Sequence, residues 1–378
     1  MLEVLRNKDN LLEFRMQANI ENEIRFYWTD IQQKIFTDWR KTKVVAFIDS
    51  VVYEMDDKWQ ELENQCAQLH LIPTNLGETT KHTDSLLACL ERIESIGLSR
   101  RDDVLLAIGG GVLMDLVSLA ANLYRRGVSV VKVPTTLLGF VDASIGIKTG
   151  VNFMGQRNRL GSYYLNYEVA YDKSLLRTLD VSLVREGLGE IYKIAIIKSL
   201  RLFELLEIHS QDVLSPDFYQ TSSGGEVIGL AVQLMLEELH ENPTETNLMR
   251  CVDFGHSFSP LLEMQSIQND SYEDIPHGMA VAVDCILTSI IAKNRGYLSS
   301  GGLKRVIGLA KDLGFFTGHP IYERVDIMWS SFLEMTRHRA GSQNLPYPVN
   351  IGSYDFIQDL EYEEVVVAAK EFKRLGGS

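Results

Sequence analysis

The first part of the chain alternates short apolar runs with helical patterns, and this alternation restricts the fold more than any other feature. Residues 43–48, 69–72 and 103–108 have the length and the aliphatic content of buried strands, and amphipathic stretches separate them. Strands that alternate with helices predict a parallel sheet of βαβ units. Residues 14–35 alternate more weakly and predict a hairpin or an edge strand. We therefore predict an α/β domain with a Rossmann-like parallel sheet over residues 1–174.

Long helical segments replace this pattern from about residue 175 onward. Residues 182–207, 225–240 and 277–294 have the periodicity of helices, and strand candidates are few. The sequence therefore predicts a second, all-α domain over residues 175–378.

The composition is that of a globular protein large enough for two domains. The chain has 378 residues, of which 45% are hydrophobic and 23% are charged. Its formal net charge is −14 and its pI is about 5.1, so no excess of lysine and arginine is present to neutralise phosphates. We expect neither a nucleic acid nor an anionic membrane as a partner. A small anionic substrate would need a local cationic pocket.

The four cysteines occur singly, and the absence of a Cys-x-x-Cys pair argues against both a disulfide framework and a thiolate zinc site. The first residues lack the apolar segment of a signal peptide. The apolar run over residues 279–292 is interrupted by Asp284 and is too short to span a bilayer. We therefore expect a cytoplasmic protein.

Three consecutive glycines, Gly109, Gly110 and Gly111, follow the predicted strand at residues 103–108 and precede a helical pattern. Glycines at such a turn let backbone N–H groups approach a pyrophosphate, and a helix N-terminus supplies partial positive charge. The spacing is not the Gly-x-Gly-x-x-Gly of the Rossmann fingerprint, and a triple glycine is also compatible with a plain tight turn. The position after a buried strand favours phosphate binding.

A second polar cluster contains Thr135, Thr136, Asp142 and Lys148. A Thr-Thr pair after a strand is ordinarily a helix cap. Asp142 and Lys148, however, stand among small and apolar residues, where unpaired charges are costly to bury. We expect these two side chains to meet a ligand or one another.

Two histidines and one glutamate have the composition of an open catalytic zinc site. Glu190 and Lys193 are one helical turn apart, and His256 and His277 are flanked by glycine or proline in apolar stretches. Zinc held by two imidazoles and one carboxylate keeps a coordination position for an oxygenated substrate. The alternative is that these side chains are solvated or satisfied by hydrogen bonds, because the spacing alone is a loose pattern.

The order of these motifs resembles that of the sugar phosphate cyclases, whose best-known members are the dehydroquinate synthases. The resemblance extends from about Val44 to Gly352. The matching motifs are Gly109-Gly-Gly-x-x-x-Asp115, Pro134-Thr-Thr-Leu-Leu138, Asp142-x-Ser-x-x-x-Lys148-Thr-Gly150, Asn158, Glu190-x-x-Lys193, Gly255-His256 and His277-Gly278.

This resemblance implies that the first domain holds NAD and that the helical domain holds zinc, for which cobalt can substitute. Glu190, His256 and His277 fall on the zinc ligands of the family. The positions on or near its cofactor-binding residues are Asp49, Glu78, Lys81, Gly110, Gly111, Asp115, Thr135, Thr136, Asp142, Lys148, Arg157 and Thr178.

The resemblance also implies residues that bind and transform a sugar phosphate. The catalytic positions are occupied by Asp142, Lys148, Lys193 and His256. The substrate-binding positions are occupied by Arg126, Asp142, Lys148, Asn158, Lys193, Arg250, Asp253 and His338. In the family the arginine at the position of Arg126 can reach the phosphate from a neighbouring subunit, so a homodimer is expected.

The implied reaction is a cyclisation that does not consume NAD. Zinc lowers the pKa of a substrate hydroxyl before hydride leaves for NAD, and Lys193 stabilises the developing charge. The resulting ketone permits elimination of phosphate, and the hydride then returns. Ring opening and an intramolecular aldol step close the carbocycle.

Three positions depart from dehydroquinate synthase, which has lysine where this chain has Met235, asparagine where it has Asp253 and histidine where it has Pro260. Loss of a cation and gain of an acceptor weaken recognition of a substrate carboxylate. Together with His338, these departures resemble the branch of the family that cyclises sedoheptulose 7-phosphate. Sister cyclases, an NAD- and metal-dependent polyol dehydrogenase and a non-catalytic metal-binding homologue remain as alternatives.

Overall fold

The computed structural model shows two compact units. One contains Met1–Asp180 and Leu239–Thr244, and the other contains Val181–Glu238 and Glu245–Ser378. The sequence-based boundary after residue 174 stays a prediction. The structure describes residues 2–6, 12–19, 22–154, 156–165, 167–315 and 319–376.

The first unit is built on a sheet of eight strands in the order β1-β2-β3-β10-β7-β6-β4-β5, beside which β8 and β9 form a separate antiparallel pair. The strands are β1 (Leu2–Arg6), β2 (Leu12–Asn19), β3 (Asn22–Trp28), β4 (Val44–Asp49), β5 (Leu69–Thr74), β6 (Val104–Gly109), β7 (Val130–Pro134), β8 (Lys148–Phe153), β9 (Gln156–Tyr163) and β10 (Tyr167–Tyr171). Six neighbouring strands pair in parallel, namely β3, β10, β7, β6, β4 and β5. Strands β1 and β2 extend the sheet in antiparallel fashion. The predicted parallel sheet is confirmed.

Five helices accompany this sheet in the part of the first unit that the structure describes. They are α1 (Ile31–Thr37), α2 (Ser50–Glu54), α3 (Lys58–Gln65), α4 (Thr83–Ile96) and α5 (Gly111–Leu123). The apolar run in β4 is continuous because its residues from Val44 to Ile48 are buried whichever way they point. The hairpin predicted in residues 14–35 is β2–β3, but β3 is not an edge strand, since it pairs with β10 on its other side.

The parallel strands bring several of the sequence motifs to one edge of the sheet. Asp49 at the end of β4 pairs with Thr74, and Gly109 at the end of β6 pairs with Pro134 at the end of β7. Thr135 follows immediately, and its N–H donates to the carbonyl of Gly109 at 3.0 Å. The glycine turn and the Thr-Thr pair therefore lie beside one another at the carboxyl edge, where ligands bind in open α/β sheets.

The second unit is mainly helical, as predicted. Its helices are α6 (Val181–Lys198), α7 (Leu200–Ile208), α8 (Ser222–Glu241, whose last residues from Leu239 are grouped with the first unit), α9 (Ser259–Gln268), α10 (His277–Asn294), α11 (Ser300–Asp312), α12 (Val325–His338) and α13 (Tyr362–Gly376). One feature was not predicted, an antiparallel hairpin of β11 (Leu345–Asn350) and β12 (Ser353–Ile357). The helix predicted over residues 182–207 is divided at Ser199, whose hydroxyl accepts from the N–H of Leu202 and starts α7.

Helix α10 is the centre of the second unit. Every residue from Gly278 to Ala292 is buried, which explains why this segment is apolar on all sides. Helices α6, α9, α11 and α13 pack against it. In the described part of the chain, no helix is long and apolar enough to cross a membrane.

Candidate functional site

Two glycines bring Glu190 and His277 together. Helix α6 crosses α10 at Gly189 and Gly278, and a methyl group built on Gly189 would lie 2.0 Å from the carbonyl oxygen of Gly278. A methyl group on Gly278 would lie 1.9 Å from the carbonyl oxygen of Glu186. Such backbone contact is available only to glycine. Glu190 follows one glycine and His277 precedes the other, so the two side chains leave the crossing point side by side.

The spacing of the three predicted metal ligands fits a tetrahedral ion. Oε1 of Glu190 lies 3.4 Å from Nε2 of His277 and 3.6 Å from Nε2 of His256. Zinc–ligand bonds of about 2.0–2.2 Å at tetrahedral angles place neighbouring ligand atoms roughly 3.3–3.5 Å apart. Among the described residues, these three form the group of carboxylates, imidazoles or thiols whose ligand atoms lie within 4.8 Å of one another.

The environment of Glu190 also fits a cation. Its carboxylate is 1% exposed, and within the described part of the chain neither oxygen accepts a hydrogen bond of normal geometry. The ammonium of Lys193 is in ion-pair contact with Oε2, which leaves Oε1 directed towards the two imidazoles. A buried carboxylate oxygen without a hydrogen bond is costly unless a positive charge compensates it. A metal ion between Glu190, His256 and His277 would do so.

The electrostatics of the metal-free site differ between the two histidines. Burial raises the pKa of Glu190, but Lys193 and the histidines outweigh it and hold that pKa well below its usual range. Burial and the charge of Lys193 lower the pKa of His256 to about 3. Burial also lowers the pKa of His277, but the carboxylates of Glu190 and Glu263 outweigh it and raise the pKa to about 10. At neutral pH His256 is therefore ready to bind a metal, whereas His277 must first lose a proton.

Glu263 on α9 orients His277. Its Oε2 lies 3.0 Å from Nδ1 of His277, which directs Nε2 of the same ring towards Glu190. A carboxylate behind a metal-binding imidazole fixes the tautomer and the plane of the ring. Glu263 is 5% exposed, and the sequence did not single it out. The sequence offers one signal for Glu263: it is a glutamate on the buried side of a short helix that begins a few residues after His256.

Asp253, predicted to contact substrate, lies in a buried ion-pair cluster. Its Oδ2 accepts from Nε of Arg339 at 3.1 Å, and its Oδ1 accepts from Arg250, which also pairs with Glu245. Arg339 is 3% exposed and donates to the carbonyl of Gln343 at 2.9 Å. Two guanidinium groups thus face two carboxylates. The sequence predicted Arg250 and Asp253 but not Arg339, although it named the adjacent His338.

The other residues that distinguish this chain from dehydroquinate synthase differ in position and in how far their side chains are exposed. Met235 is buried on α8, and Pro260 stands in the first turn of α9. The side chain of His338, at the end of α12, is 59% exposed, and its Nε2 lies 3.8 Å from a carboxylate oxygen of Glu334. A substrate-binding role for His338 therefore stays a prediction.

In the first unit, the glycine turn forms a cradle that a side chain would fill. A Cβ on Gly109 would lie 3.0 Å from the Leu113 side chain, and a Cβ on Gly111 would lie 3.1 Å from Cβ of Ala143. Helix α5 starts after Gly110 without a side-chain cap or an acidic residue in its first turn. Its N-terminal N–H groups suit a phosphate, and this cradle fits the pyrophosphate of a dinucleotide.

Lys81 joins two of the predicted ligand-binding residues. Its ammonium, 3% exposed, donates at 2.6 Å to Oδ2 of Asp115 and at 2.6 Å to Oδ1 of Asn158. Asn158 has a left-handed backbone with φ of 48°. Nearby, Oε1 of Glu78 accepts from Nε of Arg157 at 3.0 Å. Five predicted residues of the first unit are thus joined into one bridge of three residues and one ion pair.

The remaining predicted residues of the first unit lie on short turns and strand ends. Asp142 stands in the turn Gly139–Ala143, and Lys148 is the exposed first residue of β8. Asp49 caps α2 by accepting from the N–H of Val51 at 2.9 Å. The exposed residues Arg126 and Thr178 and the half-buried Thr136 complete the set. Their roles towards substrate and cofactor stay predictions.

Comparison with known proteins decides the family. Residues 71–186 match the family described as 3-dehydroquinate synthase N-terminal, and residues 187–338 match 3-dehydroquinate synthase C-terminal. The 2-epi-5-epi-valiolone synthase of Streptomyces albus is 41% identical over 304 residues, which are 79% of this chain and 73% of the relative. The chain belongs to the dehydroquinate synthase-like sugar phosphate cyclases. This membership confirms the predicted family, the predicted fold and the expectation of an enzyme.

Two further relatives show how this cyclase compares within the family. The demethyl-4-deoxygadusol synthase of Trichormus variabilis is 33% identical over 317 residues, which are 82% of this chain and 75% of the relative. The solved structure of ValA, the 2-epi-5-epi-valiolone synthase from Streptomyces hygroscopicus subsp. jinggangensis 5008, contains NAD+ and Zn2+. It matches with a TM-score of 0.86 at 35% identity and covers 95% of this chain and 99% of that chain.

Proposed function

We propose that this cyclase converts sedoheptulose 7-phosphate to 2-epi-5-epi-valiolone with release of phosphate. The observation that carries the proposal is the ion-pair cluster around Asp253. Arg250 and Arg339 are both paired with carboxylates of the same chain, Glu245 and Asp253, so the cluster has no net charge. Met235 removes a further cation that dehydroquinate synthase has. A substrate carboxylate would find no uncommitted charge here, whereas a neutral hydroxymethyl group meets no electrostatic penalty.

The second unit supplies the metal site of this proposal. Glu190, His256 and His277 would hold zinc, which polarises a polyol oxygen and lowers the pKa of its hydroxyl when bound. Lys193 is buried with its ammonium against the Glu190 carboxylate, so the ammonium would lie beside an ion held by that carboxylate. A cation fixed in a site of low dielectric stabilises negative charge as it develops on the substrate. Glu263 would keep His277 in the tautomer that leaves Nε2 available to a metal.

The first unit supplies the dinucleotide site. NAD bound there would supply the reversible transfer of a hydride from and to the substrate. The N-terminus of α5 at Gly110 and Gly111 would bind the pyrophosphate, and Thr135 and Thr136 lie at the same edge of the sheet. Lys81 holds Asp115 in position at that edge.

We further propose that Lys148 and Asn158 bind the substrate phosphate and that the enzyme acts as a homodimer. Arg126 supports the second point: it is exposed, has a left-handed φ of 63°, and is followed by Gly127, so the turn presents the guanidinium to solvent. An arginine displayed in this way is available to a phosphate bound by a partner subunit.

The reaction can be tested with purified protein, NAD and zinc. Incubation with sedoheptulose 7-phosphate should release phosphate without net NADH, and NMR of the cyclitol should give the configuration of 2-epi-5-epi-valiolone. 3-Deoxy-arabino-heptulosonate 7-phosphate, which carries a carboxylate, should be a poor substrate. Efficient cyclisation of the carboxylate substrate would contradict the proposal. A cyclitol of another configuration would assign the chain to a sister cyclase, and NADH without phosphate would indicate a dehydrogenase.

Variants separate the metal site from general effects of mutation. Glu190→Ala and His256→Ala should abolish phosphate release and lower bound zinc in protein that remains folded. His209→Ala is a matched control, because His209 lies in the same unit and has a side chain 25% exposed, close to the 27% of His256. The control should retain both zinc and activity. Full zinc content in Glu190→Ala would show that the metal lies elsewhere.

A further inference from the structure

A single buried carboxylate holds the backbone that follows His256. Oδ2 of Asp284, a residue 1% exposed on α10, accepts the N–H groups of Ser257 at 2.8 Å, Phe258 at 2.6 Å and Ser259 at 2.9 Å. Its Oδ1 accepts from the hydroxyl of Thr288 at 3.3 Å. Phe258 and Ser259 are the capping and first residues of α9, where N–H groups lack partners within the helix and a carboxylate is favoured.

Helix α9 is capped by a side chain of another helix and not by a side chain at its own N-terminus. Phe258 occupies the capping position of α9 and makes no side-chain cap. A serine, threonine or asparagine at that position would satisfy the N-terminus locally. Here the cap is instead supplied by α10, the helix whose first residue is His277. The segment that carries one predicted metal ligand is therefore anchored to the helix that carries another.

The anchoring between these two helices is reciprocal. Asp284 on α10 holds the start of α9, and Glu263 on α9 contacts Nδ1 of His277 at the start of α10. Between His256 and α9, the hydroxyl of Ser259 also donates to the carbonyl of Gly255 at 2.7 Å. Asp284 of α10 thus constrains the segment that follows His256, and Glu263 of α9 constrains the ring of His277.

We propose that Asp284 is a positioning residue for the metal site, which fixes the backbone beside His256 so that its Nε2 stays near Oε1 of Glu190. This inference rests on the metal site of the proposed function but does not depend on the identity of the substrate. It assigns Asp284 no contact with substrate or metal. A role confined to capping α9 would affect stability but not the affinity of folded protein for zinc.

Zinc affinity of the folded enzyme tests the proposal directly. Asp284→Asn keeps the size of the side chain and weakens its acceptance of three N–H groups. The dissociation constant for zinc, measured by competition with a chromophoric chelator, should rise about ten- to a hundredfold, as is typical when a partner of a ligand is altered. The cobalt-substituted variant should also show a changed d–d absorption spectrum, because the position of one imidazole changes. An unchanged zinc affinity together with an unchanged cobalt spectrum would overturn the proposal.

Ser299→Ala is the matched control for a lost cap. Ser299 lies in the same unit and caps α11 by accepting from the N–H of Gly302 at 3.0 Å. This variant should unfold at lower temperature and bind zinc within about twofold of the wild-type affinity. If it loses as much zinc affinity as Asp284→Asn, the effect is one of general destabilisation and the proposal fails.

A second variant and a double variant complete the test. Thr288→Val removes only the hydroxyl that holds Oδ1 of Asp284, is expected to fold, and should weaken zinc binding by a few-fold. In a His256→Ala background, Asp284→Asn should cause no further loss of the residual zinc affinity. An equal loss with and without His256 would contradict a role through that residue. Absence of zinc binding by the wild-type protein would instead refute the metal site of the proposed function.

Discussion

Gly189 on α6 and Gly278 on α10 are in backbone contact, and a methyl group on Gly189 would lie 2.0 Å from the carbonyl oxygen of Gly278. The two helices can approach this closely because neither glycine has a side chain at the crossing point. The contact sets the distance between Glu190, which follows Gly189 on α6, and His277, which precedes Gly278 on α10. Helix packing and metal binding are therefore specified by the same pair of glycines.

We predict that Gly189→Ala reduces stability and zinc binding together. The added methyl group must push α6 away from α10, which should lower the free energy of unfolding by about 3 kcal/mol and reduce bound zinc below half of the wild-type content. Gly308→Ala in α11 is the control, because a Cβ there meets no atom within 4 Å. That variant should be slightly more stable, by about 0.4–1 kcal/mol. Denaturant unfolding and metal analysis measure both quantities, and normal zinc content in Gly189→Ala would contradict the prediction.

Zinc binding should release a proton from His277. The carboxylates around this residue raise its pKa to about 10 in the metal-free protein, despite its burial, and a metal ligand must be the neutral imidazole. Below pH 10 the apparent zinc affinity should therefore rise about tenfold per pH unit. Calorimetry in buffers of different ionisation enthalpy should show close to one proton released at pH 7. Release of no proton would mean that His277 is already neutral or is not a ligand.

Asp253 and Arg339 should depend on one another for stability. Asp253→Ala leaves the buried guanidinium of Arg339 without its carboxylate, and Arg339→Met leaves the Asp253 carboxylate with Arg250 as its one remaining guanidinium in this cluster, so each should cost up to about 3 kcal/mol. The double variant should cost less than the sum of the two single variants, by about 1–3 kcal/mol. Asp253→Ala should also raise the KM for sedoheptulose 7-phosphate more than it weakens NAD binding. Equal loss of both, or strict additivity of the unfolding free energies, would contradict the assignment.

The bridge made by Lys81 should be required for NAD binding. Asp115→Asn removes the charge that compensates a nearly fully buried ammonium, so it should lower the free energy of unfolding by about 2–3 kcal/mol and weaken NAD binding at least tenfold. Asp38→Asn makes the same chemical change in the exposed pair with Lys34 and should leave both properties unchanged. Titration of NAD by fluorescence separates the two variants. Wild-type NAD affinity in Asp115→Asn would rule out the predicted role of this bridge.

The sequence predicted the elements that the structure buries on all sides. Strands β4 and β6 are continuous apolar runs, and helix α10 is an apolar run that Asp284 interrupts, because each element is buried on every face; such runs are visible without a structure. The hairpin β8–β9 was not predicted, since the polar residues around Asn158 do not show the alternation of apolar and polar residues that indicates a strand. The metal ligands were predicted because the order of the motifs resembles that of a known family, since two histidines and one glutamate alone are a loose pattern.

Buried charges such as Asp284 and Arg339 could not be predicted from the sequence in the same way. Asp284 and Arg339 meet their partners across 27 and 86 residues of chain, respectively. Asp284 is one charge within α10 and Arg339 is one charge directly after α12, and only the packing of these helices gives each a partner. Gly189, directly before Glu190, permits close approach of another backbone, but the sequence could not identify that backbone as the one at Gly278.

The three predicted metal ligands all lie in one compact unit, and the predicted dinucleotide cradle lies in the other. No residue belongs to both sets. Substitutions of the three predicted ligands that change the preferred metal therefore leave every predicted dinucleotide-binding residue as it is.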